Sequence, residues 1–233
     1  MGETIAAEGE ERNDRAYRLA ESAASVDLDR YMAVATIPSV PSEKRSALLA
    51  LILLHGELRR VPALVSEPFP GLVRLQWWQD QLASNDPGGP EFLEVIRSSG
   101  FARESASLIE PFARGFEQPG VPAEGPRSAA VQASALLQRL SARMVGVDDG
   151  DLLERAEAVG AAYALSMGGR EEDEENARER LAFARRGAKP PRSAMAAFTL
   201  ARIADHRLAA GRDRRVPLSM PFRLFILSSL CRI

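Results

Sequence analysis

The segment from Ala47 to Leu54 contains only alanine, leucine and isoleucine, and helix-forming residues continue on both sides of it. It is too short to cross a bilayer as a helix. A helix that is apolar on every face is stable in water only when other parts of the protein cover it. We therefore predict a central buried helix from Ser42, as N-cap, to about Val61, where Pro62 ends or kinks it.

The composition favours helices along the whole chain. The 233 residues are 45% hydrophobic and 27% charged, which suits one globular domain with a sizeable core. Alanine, leucine, arginine and glutamate are abundant, whereas β-branched and aromatic residues are sparse. No segment alternates convincingly between apolar and polar residues, as a half-buried strand does. The fold class that we expect is an all-α single domain.

Proline-rich and glycine-rich breaks separate the other helical patterns. The predicted helices cover residues 15–24, 42–61, 72–83, 91–97, 101–116, 128–145, 151–167, 195–208 and 222–230. Pro68 and Pro70-Gly71 predict a loop, and the charge run 170–180 predicts a solvated helix face. The acidic residues 1–13 lack an apolar run, so we predict a disordered tail without a secretory signal, followed by one domain over residues 14–233.

The net charge and the cysteine content limit which partners the protein can bind and which cellular compartment suits it. The net charge of -2 gives no electrostatic footprint for nucleic acid. The single cysteine, Cys231, excludes an internal disulfide and suits a reducing compartment. We expect a cytoplasmic protein, with peripheral contact at the inner face of the membrane left open. The helix 222–230 is expected to pack on the body, and the alternative is a membrane-facing or partner-facing helix.

Two neighbouring segments, Leu54–Pro68 and Val73–Asp80, carry a distinctive order of residues that includes Gln76-Trp77-Trp78. Shorter similarities accompany them at Asp29-Arg30-Tyr31, Leu140–Gly146, Gly160–Leu165, Arg180–Arg186 and Pro191–Ala194. From Asp27 to Leu230 the chain resembles the squalene/phytoene synthase family, all-helical prenyltransferases that join two isoprenyl diphosphates head to head. The resemblance implies an isoprenoid-synthase-like helical bundle around a central cavity.

The family's reaction depends on two aspartate-rich motifs whose carboxylates hold magnesium, which in turn holds the diphosphates. The matching positions of this chain hold Arg59, Arg60, Ala63, Met167 and Glu171. Arginine is always charged and does not ligate magnesium. The resemblance therefore implies that the metal motifs are lost, and we expect no metal site and no cofactor. Glu57 and Glu171 are weak catalytic candidates, and magnesium is expected only if the chain is active.

One branch of the family also departs from the aspartate-rich metal motifs. The mitochondrial complex I assembly factors of this type, and their short bacterial relatives, resemble the chain in Glu57-Leu58, Val65-Ser66-Glu67 and Gln76-Trp77-Trp78. The first hypothesis is thus a non-catalytic assembly or lipid-handling factor with a respiratory-complex subunit as partner. A second is an active head-to-head prenyltransferase with degenerate motifs. A third is a binder of an isoprenyl diphosphate or lipid, in which arginine forks replace the metal.

The candidate ligand-binding residues follow from this resemblance. They are Arg59, Arg60, Arg74, Gln76, Trp77 and Tyr163. For several of these residues, a purely structural role is the alternative to ligand binding. Arg59 and Arg60 are equally expected to face the carbonyls at the end of their helix, where cations are favourable. Trp77 and Trp78 are predicted as core residues, with cavity lining as the alternative for Trp77. His55 is predicted to be a core histidine.

Overall fold

The computed structural model describes residues 2–84, 89–117, 124–210, 216–217 and 219–230, and only the backbone over 2–12 and 124–127. Cys231 lies outside these ranges. The described residues form an all-α single domain without strands. The helices are α1 (Gly2–Val26), α2 (Leu28–Ala35), α3 (Ser42–Leu64), α4 (Pro68–Ala83), α5 (Glu91–Ser98), α6 (Ala102–Ser105), α7 (Glu110–Glu117), α8 (Glu124–Met144), α9 (Gly150–Ser166), α10 (Glu171–Ala184), α11 (Met195–Phe198), α12 (Leu200–Ala210) and α13 (Met220–Ser229).

Helix α3 is the buried centre that the apolar run predicts. Every residue from Ala47 to Leu54 is buried, and α3 packs against α1, α2, α5 and α8. Two details of the prediction were wrong. Pro41, not Ser42, occupies the N-cap, and it makes no side-chain capping bond. Pro62 lies inside the helix, which continues to Leu64. The proline removes a single backbone hydrogen bond, and burial of Val61 in the core holds that last turn in place.

Helix α1 corrects the predicted N-terminal tail. The backbone is helical from Gly2, whereas a disordered segment was expected over residues 1–13. Alanine, glutamate and arginine propagate a helix once part of it is held by tertiary contacts. Here Leu19 is buried in the core, and Arg15 and Arg18 form ion pairs with Glu91 of α5. Those contacts anchor the C-terminal half of α1, and the helix extends backwards from it.

Helix α4 begins at Pro68, where a loop was predicted. The first N–H groups of a helix have no intrahelical acceptor, so a proline there loses no hydrogen bond. The inner face of α4 is buried at Leu75, Trp78 and Leu82, and the core prediction for Trp78 is confirmed. Gly71 lets α4 approach α7 closely, because a Cβ at this position would lie 2.5 Å from the ring of Phe116.

Two predicted helices are divided in the structure. Residues 101–116 form α6, a 3-10 turn (Ala106–Leu108) and α7, since Pro111 cannot donate a backbone hydrogen bond to the preceding turn. Residues 192–210 form a second 3-10 turn (Arg192–Ala194), α11 and α12. Between α11 and α12, the Thr199 hydroxyl donates to the Ala33 carbonyl at 3.2 Å. This bond joins the break to α2.

Arginine side chains complete several helix ends. Arg155 of α9 is 2% exposed, and it donates to the carbonyls of Ala184 and Ala188 at 3.0 and 2.8 Å, just where α10 ends. Arg97 donates to the Gln81 and Ser84 carbonyls at the end of α4. The last carbonyls of a helix lack intrahelical donors and carry partial negative charge, so a guanidinium is a favourable partner. These contacts tie neighbouring helices together.

Within the described ranges, no helix combines the length and the apolar character needed to cross a bilayer.

Candidate functional site

The C-terminal third of α3 and the outer face of α4 carry five of the six predicted ligand-binding residues. All five side chains are exposed: Arg59, Arg60, Arg74, Gln76 and Trp77. The sixth, Tyr163, is buried inside the bundle. The predicted set is therefore divided between a surface and an interior location. The core prediction for Trp77 was wrong, because its side chain is 45% exposed while Trp78 is buried.

An apolar stripe runs along the outer face of α4. Phe69, Val73 and Trp77 are spaced four residues apart, which places them on one side of a helix. Their exposed fractions are 74%, 54% and 45%, so the rest of the described structure leaves about half or more of each residue uncovered. We call these three residues the α4 stripe. The Trp77 ring packs edge-on against the Trp78 ring at 4.7 Å, so the core restricts its orientation.

The polar groups that border the α4 stripe include both positively and negatively charged side chains. Arg74 precedes Trp77 by three residues and is exposed. The Gln76 amide donates to Asp80 Oδ1 at 2.8 Å. Helix α4 thus carries one arginine and one aspartate. Near the end of α3, Arg60 forms an exposed ion pair with Glu57 at 3.2 Å. Arg59 and Glu67 are exposed as well, so three arginines (Arg59, Arg60 and Arg74) are matched by three carboxylates (Glu57, Glu67 and Asp80). The surface is aromatic at its centre, and its polar edges carry no net charge.

The two arginines do not occupy the end of their helix. Helix α3 continues to Leu64, and its last turn contains no basic residue. The prediction that Arg59 and Arg60 face the terminal carbonyls was therefore wrong, because it assumed that Pro62 ends the helix. The charge of Arg59 also acts inward, where it helps to lower the pKa of His55.

The weak catalytic candidates lie on different helices. Glu57 is half-buried on α3, and Glu171 is exposed in the first turn of α10. Met167 forms the C-cap of α9 and is 51% exposed. Within the part of the chain that the structure describes, no group of three or more histidine, cysteine, aspartate or glutamate side chains could hold a metal ion.

A network of paired charges occupies the interior between α2, α8 and α9. Asp27 is the N-cap of α2, and its Oδ1 accepts from the Arg30 backbone N–H at 3.1 Å. Its Oδ2 accepts from Arg30 Nη1 at 2.8 Å. Arg30 Nη2 donates to Ser134 Oγ of α8, and that hydroxyl donates to the Gly160 carbonyl of α9, both at 2.5 Å. This chain of bonds joins three helices.

Tyr163 extends the network to a second aspartate. Its hydroxyl lies 3.0 Å from Asp29 Oδ2 and 3.3 Å from Asp27 Oδ1, and it donates to these carboxylates. Asp29 also accepts from the Arg207 guanidinium of α12. Burial raises the pKa of the Tyr163 hydroxyl above its ordinary value, and the Asp27 carboxylate raises it further, so the proton stays in place. The network therefore gives Tyr163 a structural role.

The network balances its own charge. It contains two carboxylates, Asp27 and Asp29, and two guanidinium groups, Arg30 and Arg207. Buried charges are tolerated when they are paired and hydrogen-bonded in this way. Among these residues, the resemblance had singled out only Asp29 and Arg30. Nothing local could have identified Ser134 or Arg207, because they lie 104 and 178 residues from their partners.

His55 is the buried core residue that was predicted. It is 3% exposed, its ring lies 6.4 Å from that of Phe112, and its Nε2 has no hydrogen-bond partner among the described residues. Burial lowers the pKa of this imidazole well below its ordinary value, and the positive charges of Arg30 and Arg59 lower it further. His55 is therefore neutral in the folded protein at pH 7.

This shift predicts a pH dependence of stability. Below about pH 6.5 the unfolded chain binds a proton at His55 that the folded protein does not bind. The free energy of unfolding of the wild type should therefore fall between pH 7 and pH 5.5, at a slope of up to about 1.4 kcal/mol per pH unit. Urea unfolding across this range measures the slope.

The matched variants are His55→Leu and His206→Gln. The first should flatten the pH dependence, because it removes the group whose pKa differs between the two states. The second changes the chain's other histidine, so it controls for removal of any imidazole. An unchanged slope in His55→Leu would show that another group causes the effect.

Comparison of the chain with protein-family models, curated proteins and solved structures gives no match. The fold and the site define an all-α single-domain protein with a closed, charge-paired interior network and an exposed aromatic surface on α4.

Proposed function

We propose that this protein is a non-catalytic binding factor of the squalene/phytoene synthase type, which docks a protein partner on the α4 stripe. The observation that carries the proposal is the exposure of Phe69, Val73 and Trp77 together on one helix. Contiguous exposed apolar residues with a polar rim are typical of protein interaction sites. The resemblance to complex I assembly factors suggests a respiratory-complex subunit as the partner.

The residue types on this surface support a protein partner. Tryptophan and arginine are enriched among the residues that contribute most to protein interfaces. Trp77 is already oriented by Trp78, so it loses little conformational freedom on binding. The opposite charges of Arg74 and Asp80 on α4, and of Arg60 and Glu57 on α3, suit a partner with a mixed polar rim. They do not favour a uniformly charged surface such as an anionic bilayer.

Two features support the non-catalytic part of the proposal. Arg59 and Arg60 are exposed cations at the positions where the resembled family has metal-binding aspartates. In the interior, Asp27 is paired with Arg30 and Asp29 with Arg207. Carboxylates that are committed to guanidinium groups are poor ligands for magnesium.

The test is whether substitutions in the α4 stripe, but not substitutions in α13, weaken a complex reconstituted from this protein and its partner. Partners recovered with the tagged full chain from host cells are identified, purified and titrated against wild type, Phe69→Ser/Trp77→Ser and Phe222→Ser/Phe225→Ser. Phe69 and Phe222 are largely exposed, and Trp77 and Phe225 are about half exposed, so both variants should fold. We expect the α4 variant to weaken the complex at least about 30-fold, as loss of an interface anchor does. The α13 variant should bind like wild type.

Equal binding by the α4 variant and wild type would contradict the proposed docking surface. The isoprenoid-binding hypothesis predicts another result. Wild type would bind farnesyl diphosphate without metal, and Arg59→Ala/Arg60→Ala would abolish this binding.

A further inference from the structure

Helix α13 has apolar residues on two sides. Met220 and Leu224 are buried, and the helix packs against α2. Its other side exposes a second apolar group, which we call the α13 face. These residues and their exposed fractions are Phe222 67%, Phe225 46%, Ile226 40% and Leu230 53%. Their spacing of three and four residues places them on one side of the helix.

The charged residues in the sequence segment that contains α13 are of one sign. From residue 214 to residue 233 the sequence contains four arginines and no aspartate or glutamate, although the whole chain has a net charge of -2. Arg223 is exposed on α13 directly beside Phe222. The other three, Arg214, Arg215 and Arg232, lie outside the described residues.

We propose that the α13 face docks on an anionic membrane surface. A short amphipathic helix with large apolar residues and arginines lies in the plane of a bilayer interface, with its apolar side in the headgroup region. Exposed phenylalanines supply the apolar contact, and the arginines attract acidic lipid headgroups. The α4 stripe has a similar apolar character but balanced charge, so it does not select the same occupant.

The two aspartates at the start of α2 do not offset the positive charge beside the α13 face. Asp27 and Asp29 flank the N-terminus of α2, the helix on which α13 packs, but both are buried. Asp27 is paired with Arg30, and Asp29 is paired with Arg207. The exposed Leu28 between them adds apolar surface on α2. Within α2 and its N-cap, no exposed carboxylate offsets the positive charge of Arg223.

The experiment is flotation of the full-chain protein with vesicles of phosphatidylcholine alone or with about 30% phosphatidylglycerol. We expect at least about tenfold stronger binding to the anionic vesicles, and weaker binding when salt rises from about 0.1 M to about 0.5 M. Phe222→Ser/Phe225→Ser should reduce this binding at least about tenfold. The control Phe69→Ser/Trp77→Ser should change it less than about twofold.

Insertion is measured separately with a polarity-sensitive fluorophore on Phe222→Cys in a Cys231→Ser background. Its emission should shift to the blue with anionic vesicles and stay unchanged with phosphatidylcholine vesicles. A label on Val73→Cys should not shift with either. No binding to anionic vesicles would overturn the proposal, as would equal losses in the α4 and α13 variants. Binding that depends on charge but not on Phe222 and Phe225 would also overturn it. If the α13 variant lost a reconstituted protein complex instead, the face would be a protein interface.

Discussion

Substitution of Gly160 by alanine is expected to destabilise the protein by about 3 kcal/mol or more. A Cβ at this position would lie 2.2 Å from the Ser134 carbonyl oxygen, which belongs to the backbone of α8 and cannot rotate away. The helices α8 and α9 would have to separate. Their separation would also lengthen the bond from Ser134 Oγ to the Gly160 carbonyl. Urea unfolding of wild type and variant gives the difference directly.

Gly150→Ala is the matched control on the same helix. Gly150 is the first residue of α9, and a Cβ there would meet no atom within 4 Å. Its substitution should be neutral or stabilising by up to about 1 kcal/mol, because alanine restricts the unfolded chain. Similar stabilities for the two variants would mean that α8 and α9 do not cross as closely at Gly160 as described.

Arg30→Met is expected to cost about 3–5 kcal/mol, since it leaves the buried Asp27 carboxylate without its ion-pair partner. Arg30 is 3% exposed, and its guanidinium contacts both Asp27 and Ser134. Methionine replaces much of the side-chain volume, so lost packing contributes little. The difference is measured by urea unfolding at pH 7.

Two further variants separate charge from packing. Arg60→Met removes an exposed ion pair with Glu57 and should change stability by no more than about 0.5 kcal/mol. Asp27→Asn/Arg30→Met should recover part of the loss, because the asparagine is uncharged and can still cap α2. If the double variant is less stable than Arg30→Met alone, the unpaired charge is not the cause.

The all-α class and the central position of α3 could be predicted because they depend on composition and on one continuous apolar run. The positions of helix ends could not be predicted as well. The three prolines Pro62, Pro68 and Pro70 were all interpreted as breaks, yet each lies within a helix. A proline in the first turn or near the last turn loses little hydrogen bonding, and core packing then decides the boundary.

For the candidate site too, some features could be predicted from the sequence and others could not. Family resemblance drew attention to Arg59, Arg60 and Trp77, but burial is a tertiary property, and their exposure became visible only in the fold. The network around Asp27 was not predicted, because neither helix α2 nor its N-cap was identified in the sequence. Arg207 could not be assigned to the network either, since these two parts of the chain are brought together only by the packing of α12 on α2.

Interior and surface suggest complementary roles. The interior network holds α2, α8, α9 and α12 together through paired charges, and the exposed α4 stripe and α13 face provide two surfaces with different charge. A binding factor needs a rigid body and distinct surfaces, and it needs no metal-dependent reaction centre. An apolar stripe with a balanced rim suits a protein, and an apolar face with arginines suits an acidic membrane.

The most direct test of the non-catalytic role is a turnover assay with farnesyl diphosphate and with geranylgeranyl diphosphate in the presence of magnesium. We expect no joined isoprenyl product and no release of diphosphate above that of heat-inactivated protein. Magnesium-dependent release of diphosphate that disappears in Glu57→Ala or Glu171→Ala would contradict the proposal and identify an active prenyltransferase.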